Sequence, residues 1–277
     1  MRGSTPCSSD RNRRYGGNTS CVVVEADGAR PVVLDLGTGL RFWGLDVPSD
    51  RPLDAIALVS HLHWDHVQGI PFFGPINAPG ARMEVFGPGA APGELADAVA
   101  HFMCPPYFPV TLDALAGEFV WNDLGHGATF EVDGWQVRAS DVPHVGATLG
   151  YRLERNGVSI AYVPDHQQPG CGSTEVDPGV LDIASGVDLL IHDAQYEPGE
   201  FALKHDWGHC TIEYAVEVAR QAGAKRLALF HHDPAHDDDH LDVVAVRAAR
   251  AGAACGLQEV FCASEGMRVS LGAAGAR

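Results

Sequence analysis

The sequence predicts an α/β (α+β) fold of four layers, an αββα sandwich in which two sheets pack face to face and helices cover both outer faces. Three observations lead there. Turn dipeptides sit between β-branched runs, short apolar runs have the look of strands buried on both faces, and helices alternate with strands in the second half. Size agrees, since 277 residues that are 45% hydrophobic can bury a large core. Residues 1–277 are expected to form one domain, uninterrupted by repeats or low-complexity tracts.

Residues 21–25 and 31–36 are the first strand candidates, and Asp27-Gly28 between them suits a type I′ hairpin turn. Ile56-Ala57-Leu58-Val59 reads as a buried strand running straight into Ser60-His61. Residues 94–103 read as a helix that ends in Cys104-Pro105-Pro106-Tyr107-Phe108-Pro109, where the prolines forbid regular structure. Asp133-Gly134 and Asn156-Gly157 predict two more hairpins, over 130–137 and 149–163. A strand follows over 187–191. Thr211 then caps a helix whose Ile212, Ala215, Val216, Ala219 and Ala222 share one face, with Gly223 as the stop. Residues 227–230 form a strand, 241–251 a closing helix, and 260–262 with 267–271 a final strand pair.

A net charge of -17 makes the surface repel polyanions, which argues against a long nucleic acid as partner. Seven cysteines, an odd number without C-x-x-C spacing, suggest neither a disulfide framework nor a thiolate zinc site. The first residues form no apolar leader, and no stretch approaches the ~20 apolar residues of a membrane helix. A cytoplasmic protein with no membrane partner is expected.

The chemistry concentrates in His61-Leu62-His63-Trp64-Asp65-His66, four metal-ligand side chains in six residues directly after a buried strand. Alternate residues 61 and 63 can face one ion, while Asp65 and His66, further round the turn, can reach a second. A solvated polar loop is the bland alternative, and the apolar residues flanking the cluster speak against it. His144, Asp165 and His231 each follow a strand candidate, and His232 and His236 are rivals of His231.

H-x-H-x-D-H after a short apolar strand resembles the signature of the metallo-β-lactamase superfamily. Gly16-Gly17-Asn18-Thr19-Ser20-Cys21, Leu34-Asp35-Leu36-Gly37-Thr38-Gly39, Pro143-His144, Tyr162-Val163-Pro164-Asp165, Ile191-His192-Asp193-Ala194 and Leu229-Phe230-His231 resemble successive motifs of its phosphodiesterase and ribonuclease Z branch. The resemblance implies two divalent metal ions, Zn2+ first and Mn2+ or Fe2+ as alternatives. His61, His63 and His144 would hold one ion; Asp65, His66 and His231 would hold the other; Asp165 would bridge them. Pro164 departs from the glycine usual before that aspartate. Relatives also carry a full strand before the Arg2-Gly3-Ser4-Thr5 segment, so one sheet edge is expected to be open here, which would favour association, including a homodimer.

Two ions sharing a water lower its pKa and clamp an oxyanion, which implies hydrolysis. Asp65 would steer that hydroxide. His209, in a segment similar to the one that bears a catalytic histidine in ribonuclease Z, would protonate the leaving oxygen. Its bland reading is a group that packs at a helix start, and His205 carries that reading more strongly. Asp165 lies only 21 residues after His144, whereas tRNA-processing relatives insert a long basic arm there. Together with the charge, this points to a small, cyclic phosphodiester substrate. Phe72, Phe73, Tyr107 and Phe108 are read as packing groups rather than a ring-stacking site. The rivals are a lactone or β-lactam hydrolase and a non-catalytic metal-bound sensor or scaffold.

Overall fold

The computed structural model describes residues 1–272. Its first sheet consists of β1 (Val22–Val24), β2 (Val32–Leu34), β3 (Asp54–Leu58), β4 (Arg82–Pro88) and β5 (Glu118–Leu124), side by side in that order. Only β1 and β2 pair antiparallel; the rest run parallel. The second sheet contains β6 (Thr129–Val132), β7 (Trp135–Asp141), β8 (Leu149–Arg155), β9 (Val158–Val163), β10 (Leu189–Asp193), β11 (Arg226–Phe230) and β12 (Glu259–Cys262), in reverse order across the sheet. Strands β6 to β9 form an antiparallel meander, and β9 to β12 run parallel.

Side-chain alternation builds the layers. Ile56 and Leu58 of β3 point between the sheets and pack with Val137, Tyr151, Ile160, Tyr162, Ile191 and Phe230. Their neighbours Ala55 and Ala57 point outward, where Leu40, Val67, Leu95 and Val99 cover them. Those four come from α1 (Gly39–Asp46), α2 (Trp64–Val67) and α3 (Glu94–Phe102). On the far face Ala161, Val163, Leu190, Leu227 and Leu229 pack under α4 (Pro178–Ala184), α6 (Ile212–Ala222) and α7 (Asp238–Ala254), with the short α5 (Pro198–Phe201) between α4 and α6. The four layers of the αββα sandwich are therefore present.

Local signals held where they were strong. Asp133-Gly134 and Asn156-Gly157 adopt the paired positive φ angles of a type I′ turn, and Thr211 accepts a hydrogen bond from the Tyr214 amide at the start of α6 while Gly223 ends it in the left-handed region. Others failed. At Asp27-Gly28 only the glycine has positive φ, so the type I′ prediction is wrong, and seven residues separate β1 from β2. Residues 267–271 form no strand; β12 instead pairs parallel with β11, which a hairpin partner cannot supply. Strands β4 and β5 and helices α1, α2, α4 and α5 were not anticipated; Asp65 and His66 lie in α2 and not in the loop expected after β3.

Parallel pairing and the meander together point the ends of β2, β3, β7, β9, β10 and β11 toward one rim, where ligand sites of α/β sheets form. At that rim Met1–Gly3 is threaded between the chain at Asn18 and His232: the Arg2 amide donates to the Asn18 carbonyl at 2.9 Å and the Gly3 amide to the His232 carbonyl at 3.0 Å. Among the described residues β1 has no strand on its other side. No helix there is long and apolar enough to cross a membrane.

Candidate metal centre

All seven predicted donors meet at the rim. In one tetrad His61 Nε2 lies 2.9 Å from His63 Nδ1, which lies 3.2 Å from His144 Nε2. Asp165 Oδ2 is 3.6 Å from His61 Nε2 and 3.5 Å from His144 Nε2. In the other, His231 Nε2 is 3.0 Å from Asp65 Oδ2 and 3.3 Å from His66 Nε2, with Asp65 Oδ2 and His66 Nε2 3.3 Å apart. Asp165 Oδ1 completes it at 3.2 and 3.3 Å from the two imidazoles. The two oxygens of one carboxylate thus face two separate groups of donors.

These spacings fit divalent ions. A tetrahedral ion with bonds of ~2.0–2.1 Å sets its donors about 3.3 Å apart, and the observed edges bracket that length. Asp165 Oδ1 is buried without a hydrogen-bond partner, a costly state for a carboxylate unless a cation meets it. Asp35, Asp65 and Asp165 are all buried, and among the described residues none of the three pairs with a lysine or arginine. Burial lowers the pKa values of His61, His63 and His144 and so favours the neutral, ligating form. For His66 burial acts the same way, yet Asp165, Asp65 and Asp35 outweigh it and raise its pKa well above the usual value. Burial opposes ionisation of Asp165, but His231, His66 and His61 hold it well below the ordinary carboxylate range.

A second layer of acceptors fixes the rings. His66 Nδ1 is 2.7 Å from Asp35 Oδ2, His231 Nδ1 is 2.7 Å from Gln195 Oε1, and His144 Nδ1 is 2.6 Å from the Gly208 carbonyl. Each contact places the proton on Nδ1 and leaves the Nε2 lone pair for the centre. Asp35 also accepts from the Ser60 amide and hydroxyl and from the Tyr162 hydroxyl, at 2.6, 2.8 and 2.8 Å. Both Asp35 and His231 have left-handed backbones (φ 59° and 55°), strain of the kind that gathers at functional sites. The Ser4 amide donates to Asp65 Oδ2 at 2.7 Å, and Gly3 lies so near His231 that a Cβ would fall 2.3 Å from its Nδ1.

Asp35, Gln195 and Ser4 were absent from the sequence-derived site. Asp35 was visible as part of a motif; the other two act through geometry that leaves no local pattern. Replacing Asp35 with asparagine should weaken metal retention by about 10–100-fold, the usual cost of losing a partner behind a ligand. Titration of metal-loaded protein with a chelator measures this, and an unchanged midpoint would mean that Asp35 only braces the fold.

His209 also reaches the centre. Its ring stacks on that of His231 at 4.9 Å and lies 5.4 Å from that of His144, with Nδ1 held 3.0 Å from Asp193 Oδ2. Burial disfavours its charged form, but Asp193, seconded by Asp165 and Asp65, raises its pKa above the ordinary value. The rivals lie elsewhere. His232 points its Nε2 to the Ala263 carbonyl, His236 contacts Glu200 and stacks on His240, and His205 is exposed. Phe73 is buried against Trp43, as predicted for a packing group, whereas Phe72 and Tyr107 are largely exposed. All seven cysteines are free.

Comparison with known proteins identifies the family and the fold. Residues 33–232 match the Beta-lactamase superfamily domain. Ribonuclease Z of Halorubrum lacusprofundi is 28% identical over 261 residues, covering 76% of this chain and 80% of its own. Two crystal structures share the fold: the metallo-beta-lactamase fold protein YhfI from Bacillus subtilis, at TM-score 0.68 and 17% identity over 96% of this chain and 94% of that one, and the short form of human tRNase Z, at 0.67 and 21% over 99% and 97%. With the family match spanning most of its residues and its sheets arranged in the same sandwich, the chain belongs to the beta-lactamase superfamily and has the metallo-β-lactamase fold.

Proposed function

We propose that this protein is a binuclear metal-dependent phosphodiesterase acting on a small, cyclic phosphodiester. The observation that carries the reading is the division of Asp165, one oxygen facing each group of histidines. His61, His63 and His144 would hold one ion, Asp65, His66 and His231 the other, and Asp165 both. Zinc is the first candidate, because neutral imidazoles and carboxylates at tetrahedral spacing suit it. Bound ions would supply Lewis acidity and a nucleophile at neutral pH.

The chain's own residues do the rest. Asp65, fixed by the Ser4 amide, orients the attacking group. His209, whose charged form Asp193 favours, donates a proton to the leaving oxygen, and its ring contacts with His231 and His144 put it beside both tetrads. The substrate's size follows from charge and shape. The overall balance of -17 repels polyanions, and between His144 and Asp165 the chain forms only the tight β8–β9 hairpin, with no basic arm.

RNA is the second reading, favoured by the relatives named ribonuclease Z and tRNase Z. A panel on metal-loaded protein separates these and the remaining rivals: bis(4-nitrophenyl) phosphate, cyclic AMP, a precursor tRNA, a lactone and a β-lactam. Turnover of the first two is expected. Cleavage of the tRNA alone would move the assignment to RNA processing, and turnover of the carbonyl compounds alone would refute phosphodiester chemistry. Two bound metals with no hydrolysis at all would favour a sensor or scaffold.

A further inference from the structure

The loops that carry the clustered donors span residues 59–70, 142–148, 164–176, 194–211 and 231–237, and Lys204 is the only lysine or arginine in them. Lys204 is already engaged. Its Nζ lies 2.9 Å from Asp233 Oδ2, and 4.7 and 5.5 Å from the ring centres of Tyr196 and Trp207. Arg2, whose segment also reaches the centre, is fully buried and donates to the carbonyls of Gly16, Asp233 and His236. These segments therefore offer no free lysine or arginine to a second phosphate.

Beside acidic and polar groups such as Glu175 and Asp206, they expose large apolar side chains. Trp64, next to His63, is 73% exposed, and Trp207, two residues before His209, is 60% exposed. Val145, next to His144, is 56% exposed. Large side chains left in water on three separate segments of the rim, each beside a donor or the proton-donating histidine, are not packing groups. An indole face stacks on any planar ring whatever its hydrogen-bonding pattern.

We propose that Trp64 and Trp207 form a subsite for an uncharged planar arm of the substrate, an aryl group or nucleobase, on a diester that carries no charge beyond that of the reacting phosphate. This rests on the phosphodiesterase reading and narrows it. A cyclic nucleotide without further phosphates fits; a cyclic phosphate with an additional phosphate arm does not.

The test is binding to metal-loaded protein, measured by calorimetry with diphenyl phosphate and dimethyl phosphate, which differ only in their arms. Wild type should bind the diphenyl ester about tenfold or more tightly, in line with aromatic stacking, and Trp64→Ala/Trp207→Ala should erase that preference while leaving dimethyl phosphate affinity and metal content unchanged. In parallel, 2′,3′-cyclic AMP should be hydrolysed with a lower KM than its 5′-phosphorylated form, and the double variant should raise that KM with little change in kcat. Equal affinity for the two esters in wild type, or a preference that survives the double variant, overturns the proposal. So does a dimer that the double variant converts to monomer with ligand affinity intact, since the tryptophans would then serve a second copy of the chain. If wild type prefers diphenyl phosphate in the tryptophan-dependent way but cleaves no phosphodiester, the subsite stands and the catalytic reading falls.

Discussion

Asp165→Ala is expected to release both ions together and to lower phosphodiester turnover by about 10^3-fold or more, well beyond the ~10–100-fold that changes behind the ligands typically cost. The reason is geometric. Oδ2 closes the tetrad of His61 and His144, and Oδ1 closes that of His66 and His231, so one substitution opens both. The same carboxylate also compensates the buried imidazoles around it, and without it two or three neutral nitrogens face each ion with less negative charge to retain it. Elemental analysis after dialysis gives the metal count and steady-state kinetics the activity. A variant that keeps one full equivalent of metal would show that the tetrads load independently, and one that keeps both would remove Asp165 from the centre.

The second large effect concerns His209. His209→Ala should lower kcat for cyclic AMP by about 10^2–10^4-fold, the usual range for a positioned general acid, with two ions still bound because neither tetrad loses a donor; loss of an ion would instead make His209 a ligand, since it also groups with Asp165 and His231. The loss should depend on the leaving group. Nitrophenolate departs without a proton, so with bis(4-nitrophenyl) phosphate the same variant should stay within about tenfold of wild type. An alkoxide leaving group has no such freedom. Equal losses on both substrates would recast His209 as a residue that only braces His231, against which it stacks. Asp193→Asn offers an independent check: it removes the charge that raises the His209 pKa, so it should reproduce the leaving-group dependence at smaller amplitude.

Much of this site was legible before any coordinates, because the informative features are local. Four donors in six residues after an apolar strand, Asp-Gly and Asn-Gly between β-branched runs, and Thr211 and Gly223 around a helix-periodic stretch each express short-range constraints on φ, ψ and side-chain direction. Asp27-Gly28 marks where such signals stop: the dipeptide suits a type I′ turn, yet the seven-residue link between β1 and β2 leaves it in a looser turn with only Gly28 at positive φ. Strands β4 and β5 were missed for a related reason. β4 pairs parallel with β3 and β5 parallel with β4, so no hairpin turn announces them, and the helices over their outer face supply the burial.

The sequence by itself determined which side chains are able to bind metal, the strands that lead into most of them, and the net negative charge of the chain. Tertiary structure alone decided the rest: that His231 and not its rival His232 faces the centre, turned there by a left-handed backbone, and that Asp35, Gln195 and the Ser4 amide stand behind the donors. Residue type and spacing act over a few bonds. The meeting of Ser4, His66, Asp165 and His231 depends instead on how two sheets register against each other across a shared core, and no local stretch of the chain encodes that.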